Sequence, residues 1–349
     1  MLDGVIRSVS GVSGLWRIVV VSALISGLIS VSSRAEVYVL ADDDADVIGQ
    51  VTTIRSVAAE TFVDIARRHG LGYTDLKRAN PDVDPWLPGE GTAVVLPTQF
   101  VLPDAPRRGI VLNLAEYRLY FYPKRRAGEP QTVVTYPISI GRMDWETPLG
   151  RTRVVAKAVE PSWYVPESVH QERRDEGEPP LPRVVPPGPD NPLGSRALRL
   201  GLPGYLIHGT NRPAGVGMRV THGCIRMFPE DIEVFFDQIP VGMPVTIVNQ
   251  PIKFGWRQGR LFMEAHEFLA SAAPVTPDEA TSESIDSEPP VVESPLTEMT
   301  RRFVSRSRER SLIPDWQTME QVLEAATGVP VMLPPVRESA PPVATVVTD

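Results

Sequence analysis

Short β-forming segments separated by turns run from about Gly109 to Gln250, and they constrain the fold more than any other feature of the sequence. The stretch GIVLNLAEYRLYFYP predicts two strands, Ile110 to Leu114 and Arg118 to Tyr122, around a tight turn. Similar runs follow in TVVTYPISIG, RTRVVAKAV, RALRL and PVTIV. The pattern predicts a mainly β domain over residues 107–250.

Two segments interrupt this β pattern. Residues 161–194 are long and rich in proline, and a loop of that length inside a compact domain is usually functional. The stretch PEDIEVFFDQI predicts a helix that starts at Pro229 and has an apolar face. We expect that face, formed by Ile232, Phe235, Phe236 and Ile239, to lie in the core.

Residues 51–98 predict a small unit of their own. VTTI and TAVVLP read as short strands, and ETFVDIARRHGL places Phe62, Ile65 and Ala66 on one face of a helix. YTDLKRANP predicts a second helix with Thr74 as its N-cap. The order is strand, helix, helix, strand, which predicts a compact βααβ module.

The ends of the chain differ from these two regions. Residues 1–35 have basic residues, then the apolar run IVVVSALISGLISV, then small residues, which predicts a signal peptide and a periplasmic protein. The alternative is a retained membrane anchor. Residues 251–270 predict a hairpin that extends the β domain, and 271–349 predict a mostly disordered tail with one short helix over 315–327.

The net charge of −8 and the pI near 5.3 give no basic footprint for nucleic acid. The chain also contains a single cysteine, Cys224, in the stretch THGCIRM. In an oxidising compartment cysteines usually occur in bonded pairs, so a lone thiol in an exported chain is unusual. It is an inert apolar residue, a metal ligand or a nucleophile.

The neighbouring histidines favour the nucleophile. A cysteine attacks as the thiolate, so it requires a base within hydrogen-bond reach and a third group that orients this base. His208 and His222 are both candidates for the base. Together with Cys224 they could ligate zinc, but their spacing matches no common zinc motif and no HExxH helix accompanies them. We therefore expect neither a metal nor another cofactor.

The βααβ segment resembles a LysM domain, the glycan-binding module of many cell-wall proteins. LKRANPDVDPWLPGEGTAVVLP carries most of this resemblance, whereas AAET stands where the family usually has a Gly-Asp-Thr turn. The resemblance implies an α+β LysM-like module and linker over residues 36–106, with glycan as its ligand.

The β domain resembles the L,D-transpeptidase catalytic domain of the YkuD type, in its ErfK/YbiS-like Gram-negative branch. The motif HGT followed by THGCIRM carries the resemblance, with TPLGRTRVVAKAVEPSWYVP, VVPPGPDNPLG and RALRLGLPGYLIHGT in support. Many members have Asn two residues after the cysteine, where this chain has Arg226. The resemblance implies a β-sandwich fold.

It also implies roles for individual residues. Cys224 is the nucleophile, and His208 is the proton acceptor and donor, oriented by the carbonyl of Gly209. His222 faces the substrate or supports the site, and the backbone N–H groups of Cys224 and Gly223 polarise the attacked carbonyl. Four further residues hold the site or bind substrate, with a structural ion pair as the alternative for the arginine: Thr210, Asn211, Thr221 and Arg226.

The implied reaction is peptidoglycan transpeptidation. Cys224 forms a thioester with a stem tetrapeptide, expels D-alanine and passes the acyl group to an amine of another stem or of an outer-membrane lipoprotein. Transfer to water, which would make the protein an L,D-carboxypeptidase, stays open, as does a non-catalytic wall-binding scaffold. Carbapenem-type inhibitors are expected to acylate Cys224.

Overall fold

The structure is a computed structural model that describes residues 36–40, 45–143, 145–269, 294–308, 310 and 313–334. The predicted signal peptide lies outside the described residues. Within the described ranges, no helix is both long and apolar enough to cross a membrane.

The described residues before 107 form five strands and two helices: β1 (Val37–Val39), β2 (Val47–Gly49), β3 (Thr52–Arg55), α1 (Phe62–Arg68), α2 (Tyr73–Ala79), β4 (Ala93–Leu96) and β5 (Gln99–Val101). In the central part, the residues that the structure describes form twelve strands and two helices: β6 (Gly109–Asn113), β7 (Arg118–Tyr122), β8 (Thr132–Pro137), β9 (Ile140–Gly141), β10 (Gly150–Val159), β11 (Trp163–Tyr164), α3 (Glu167–Asp175), β12 (Val184–Val185), β13 (Arg196–Leu200), β14 (Leu206–His208), β15 (Arg219–Thr221), β16 (Ile225–Arg226), α4 (Pro229–Gln238) and β17 (Pro244–Val248). Two 3₁₀ turns lie at Leu114–Glu116 and Pro213–Gly215. The C-terminal part contains β18 (Ile252–Arg257), β19 (Arg260–Ala265), α5 (Pro295–Ser307), α6 (Trp316–Ala325) and β20 (Val331–Met332).

One mixed sheet organises the central part, which confirms the prediction of a mainly β domain. Among the described residues it has nine strands in the order β1-β8-β7-β6-β17-β10-β13-β14-β16. The long strand β10 pairs with β17 through Gly150–Arg153 and with β13 through Val154–Val159, with a register shift after Val154. The sheet therefore continues through β10 from one half to the other. β1, which the sequence assigned to the LysM-like module and linker, instead forms an edge of this sheet by pairing with β8.

Helix α4 covers one face of the sheet. Pro229 occupies its first turn, and the four residues of the predicted apolar face are buried, which confirms that expectation. They pack with β6, β7, β8 and the strands around β14 in one apolar core. Asp231, in the first turn of the same helix, is also buried, and its Oδ2 has no hydrogen-bond partner among the described residues.

The opposite face of the sheet is covered by the βααβ unit. Strands β3 and β4 pair antiparallel, from Thr52 opposite Leu96 to Arg55 opposite Ala93. Thr61 caps α1, and α2 starts after Gly72 rather than Thr74, because the Asp75 carboxylate accepts the Gly72 N–H at 2.9 Å. Apolar residues of both helices share a core with Val111, Tyr120, Tyr122 and Val133 of the main sheet. The unit is thus packed on the sheet rather than tethered beside it.

At two glycines the backbone of this unit lies directly against the backbone of the central part. A Cβ atom at Gly217 would lie 2.2 Å from the Cα of Gly72, and one at Gly72 would lie 2.6 Å from the Cα of Gly217. The N–H of Tyr73 donates to the carbonyl of Val216 at 3.3 Å. Backbone therefore lies directly on backbone here, which only residues without Cβ allow.

The C-terminal part forms a third layer. The hairpin β18–β19 lies within the predicted extension, and β20 adds to it beside β19. Helices α5 and α6 pack on this sheet through Met299, Phe303 and Met319. Within the tail that the sequence predicts to be mostly disordered, α5 buries one face through Met299 and Phe303, which lie four residues apart. The acidic residues 270–293 lie outside the described residues.

A buried ionic cluster joins the three layers. The ammonium group of Lys253 lies 2.6 Å from Glu116, 2.8 Å from Glu264 and 2.7 Å from the carbonyl of Val101. The Glu264 carboxylate also accepts the N–H of Val101 at 2.5 Å. The three charged side chains are at most 1% exposed. β5, the first 3₁₀ turn and the β18–β19 hairpin therefore meet at one lysine.

Candidate active site

Cys224 and His208 belong to adjacent parallel segments. β14 and β16 pair with Ile207 opposite Ile225 and His208 opposite Arg226. The two isoleucines point into the core. Because strand side chains alternate, His208 and Arg226 point to the other side, and Cys224, directly before β16, follows on that side. The sheet therefore brings Cys224 and His208 to one face as diagonal neighbours.

Cys224 is a free, partly buried thiol. Its Sγ lies 3.5 Å from the carbonyl oxygen of Gly204. Burial raises the pKa of this thiol above its usual range, while the backbone N–H of Leu206 and the charge of Arg226 act in the opposite direction. The group is therefore a protonated thiol at neutral pH.

His208 is almost completely buried. Burial, and secondarily the charge of Arg226, lowers its pKa to about 4, although the backbone carbonyls of Gly209 and Leu193 oppose the shift. These carbonyls lie near the ring, but Nδ1 completes no hydrogen bond within the described part of the chain. The imidazole is neutral at neutral pH and can accept a proton.

His222 lies on the exposed side of the same turn. Gly223, at φ +95°, bends the chain between His222 and Cys224, so the two side chains do not follow strand alternation. A Cβ atom at position 223 would lie 2.8 Å from the Tyr205 ring, so this position requires glycine. The rings of His222 and Trp145 pack edge to face, with their centroids 5.2 Å apart. The Nε2 atom of His222 lies 2.5 Å from a carboxylate oxygen of Glu172.

The other predicted residues surround this turn. Thr221 is buried and donates its hydroxyl to the carbonyl of Cys224 at 2.6 Å, which holds the turn closed. Thr210 is buried and accepts the N–H of Arg212 at 2.9 Å, whereas Asn211 is exposed. Arg226 forms no ion pair with any described acid, and its buried Nε has no hydrogen-bond partner there.

Sequence reasoning did not find Trp145, Tyr205, Arg142 or Glu172. Tyr205 donates its hydroxyl to the carbonyl of Glu146 at 3.0 Å, so it fixes the segment that carries Trp145. Glu172 lies on α3, inside the proline-rich segment 161–194. The unusual length of that segment was the only feature of the sequence that indicated a functional role for the region around Glu172. No motif pointed to the individual residues.

A possible metal-ligand set lies elsewhere. Glu116, Glu264 and His266 have ligand atoms within 4.8 Å of one another. The Lys253 ammonium lies among them and already supplies a positive charge to both carboxylates. Burial lowers the pKa of His266 to about 3, so its ring is neutral. The residues present pair with Lys253 as an ionic cluster.

Comparisons with known proteins agree on one family. The family model for the YkuD L,D-transpeptidase catalytic domain matches residues 107–247. "Probable L,D-transpeptidase YbiS" of Escherichia coli (strain K12) is 40% identical over 244 residues, which cover 69% of this chain and 78% of that protein. "Probable L,D-transpeptidase ErfK/SrfK" of Salmonella typhimurium is 39% identical over 308 residues, covering 87% and 93%.

Solved structures that are similar include an L,D-transpeptidase from Mycobacterium smegmatis, at 19% identity and a TM-score of 0.30, over 46% of this chain and 64% of that one. L,D-transpeptidase 3 from Mycobacterium tuberculosis gives 21% identity and a TM-score of 0.30, over 44% and 66%. Because these TM-scores are low, membership of the family rests on the relatives that are similar in sequence.

Proposed function

The chain belongs to the YkuD family of L,D-transpeptidases, and we propose that it carries out peptidoglycan transpeptidation through a thioester on Cys224. The observation that carries this proposal is the β14–β16 register, which puts the only thiol of the chain on one face with a buried, neutral histidine. A thiol and a neutral base that face the same side of the sheet are the minimum that acyl transfer by a thiol requires.

In the first half-reaction, Cys224 Sγ attacks the carbonyl of the L-configured centre that precedes the terminal D-alanine. His208 accepts the thiol proton and then gives it to the departing amine of D-alanine. A C–S bond forms, a C–N bond breaks, and the donor stem remains as a thioester. The backbone N–H groups of Cys224 and Gly223 are assigned to the developing oxyanion.

In the second half-reaction, an acceptor amine attacks the thioester. His208 takes the proton of that amine and returns it to the sulfur as the C–S bond breaks. An amine of another stem gives a cross-link, and a lysine of an outer-membrane lipoprotein gives an anchored lipoprotein. Attack by water instead gives L,D-carboxypeptidase activity from the same intermediate.

The electrostatics favour a neutral resting pair. Burial raises the pKa of Cys224 and lowers that of His208 to about 4, so thiol and imidazole are the stable forms near pH 7. Proton transfer then accompanies the attack instead of preceding it. A thiol that stays protonated until substrate arrives is also less prone to oxidation, which suits the exported location that the N-terminal segment predicts.

In this proposal the βααβ unit is a LysM-like module that binds wall glycan. Its two helices and paired outer strands support the assignment. Trp86 is 62% exposed and Leu87 is 71% exposed, and the Trp86 ring stacks on Tyr73 at 5.6 Å. An exposed aromatic ring held by another ring is a suitable surface for a sugar. The protein would then act in the periplasm on stems of the glycan that it holds.

Mass spectrometry of a Cys224→Ala variant tests the assignment. The wild type should gain the mass of a carbapenem on Cys224 and should release D-alanine from tetrapeptide stems, and the variant should do neither while it still sediments with peptidoglycan. Turnover by the variant would contradict the role of Cys224. Assays with and without a lysine-ended peptide then separate cross-linking, anchoring and hydrolysis by product mass.

A further inference from the structure

Helix α3 brings a carboxylate of the chain's own to the candidate active site. Glu172 contacts the guanidinium of Arg142, and its other oxygen lies 2.5 Å from His222 Nε2. The hydrogen bond from Arg142, followed by that from His222, lowers the pKa of Glu172. Glu172 is therefore ionised, and it contacts His222, which lies two residues before Cys224 in the chain.

Arg142 and His222 are held by the same backbone that holds the thiol. The N–H of Arg142 donates to the carbonyl of Thr221 at 2.9 Å, and the Thr221 hydroxyl donates to the carbonyl of Cys224. Trp145 packs against His222. The two groups that bind the carboxylate are therefore fixed relative to Cys224, whatever occupies the position between them.

Arg142 has donor capacity that Glu172 leaves unused. Its Nε is buried and has no hydrogen-bond partner among the described residues. A guanidinium offers two parallel N–H groups to a carboxylate, and Glu172 engages the terminal nitrogen alone. A carboxylate that approached from another direction could engage both.

Glu172 itself is weakly anchored. Val169 is the one residue of α3 that is buried, and the other ion pairs of the helix, Arg174 with Glu167 and Arg173 with Glu178, stay within the proline-rich segment. Partly exposed ion pairs contribute little to stability. The rest of α3 therefore adds little to what holds Glu172 in place, which is its contact with Arg142 and His222.

We infer that Arg142 and His222 form a binding site for a free carboxylate of the donor stem peptide, and that Glu172 fills this site in the free enzyme as a placeholder. The inference rests on the proposed function, because it takes the acidic peptide that acylates Cys224 as the ligand. Substrate then gains the charge-assisted contacts that Glu172 gives up, and α3 moves aside as the peptide enters.

Calorimetric titration of a tetrapeptide stem into the full-length Cys224→Ala protein tests this inference without any need for turnover. Adding Glu172→Gln should tighten binding by about threefold or more, because the competitor loses its charge. Adding Arg142→Gln should weaken binding by about tenfold, the usual effect of losing one charge-assisted hydrogen bond. When Arg142→Gln is already present, adding Glu172→Gln should not tighten the binding of the stem peptide.

Glu167→Gln is the matched control, since it removes an exposed carboxylate of the same helix that pairs with Arg174. It should leave binding unchanged. Stems amidated at the C-terminal carboxylate or at an internal carboxylate show which one is bound: the correct amide should bind more weakly and should no longer respond to Glu172→Gln.

Three results would overturn the inference: weaker or unchanged binding in both Glu172→Gln and Glu172→Ala, unchanged binding in Arg142→Gln, or an equal response of acid and fully amidated stems. Failure of the proposed function has a different signature. In that case wild type forms no adduct on Cys224, whatever the titrations give.

Discussion

Replacing Lys253 with methionine should expose how strongly the three layers depend on one buried charge. Lys253 lies between Glu116 and Glu264, and both carboxylates are at most 1% exposed. Methionine has a similar length and no charge, so the change leaves two buried carboxylates without a cation. It also removes the hydrogen bond to the carbonyl of Val101.

The expected loss is about 3–5 kcal/mol of unfolding free energy, the usual effect of removing one partner from a buried ion pair. Val101, Glu116 and Lys253 lie in different layers, so the loss should affect the cooperative unfolding of the described layers together. At about 2–4 °C per kcal/mol, the melting temperature should fall by roughly 6–20 °C.

Urea unfolding followed by tryptophan fluorescence, together with scanning calorimetry, measures this loss. Lys77→Met, the same substitution on an exposed position of α2, is the control and should change stability by less than about 0.5 kcal/mol. Combining Lys253→Met with Glu116→Gln and Glu264→Gln should recover much of the loss, because no buried charge then lacks a partner. Equal stability of Lys253→Met and Lys77→Met would refute the argument.

Two further predictions concern buried titrating groups. Burial raises the pKa of Asp231 to about 7, so the folded state holds the carboxyl proton more tightly than the unfolded state does. The protonated Asp231 therefore stabilises the folded state fully below about pH 4. This contribution, about 4 kcal/mol of unfolding free energy, is lost as the pH rises to about 7. Asp231→Asn should therefore gain about 2–3 kcal/mol over wild type between pH 5 and pH 8 in urea titrations, while the exposed Asp237→Asn on the same helix should show no such trend. His208 must be neutral to accept the thiol proton, and its pKa is about 4. The rate of carbapenem addition to Cys224 should therefore stay level from pH 7 to about pH 5 and fall near pH 4, in wild type and in His222→Gln alike. A fall centred near pH 6.5 would contradict this role of His208.

The apolar pattern predicted the elements that bury a face. The strands expected at 110–114 and 118–122 are present as β6 and β7, and the face of α4 was predicted residue by residue. These elements follow from local periodicity, because each alternation or helical repeat reports burial directly. The spacing of His208 and Cys224 predicted a shared site, and the β14–β16 register puts the two residues on one face of the sheet.

Local pattern could not predict the features that depend on distant partners. The N-cap of α2 is Gly72 rather than Thr74, and Gly72 lies against Gly217, a partner far along the chain. β1 joins the main sheet by pairing with β8. A strand of only three apolar residues does not show from its own sequence which strand it will pair with. Arg142 and Glu172 likewise acquire their relation to His222 only when β9 and α3 converge on it.

The contact between Gly72 and Gly217 has a consequence for how such proteins can be recombined. The unit over residues 51–98 has its own helices and paired strands, which invites its exchange as a cassette. Here a cassette exchange would replace one of two touching backbones, and a Cβ atom on the residue at position 72 would lie 2.6 Å from the Cα of Gly217. A chimera that swaps residues 51–98 must therefore keep glycine at position 72 and the turn that follows it, or the loop at Gly217 will be forced out of place.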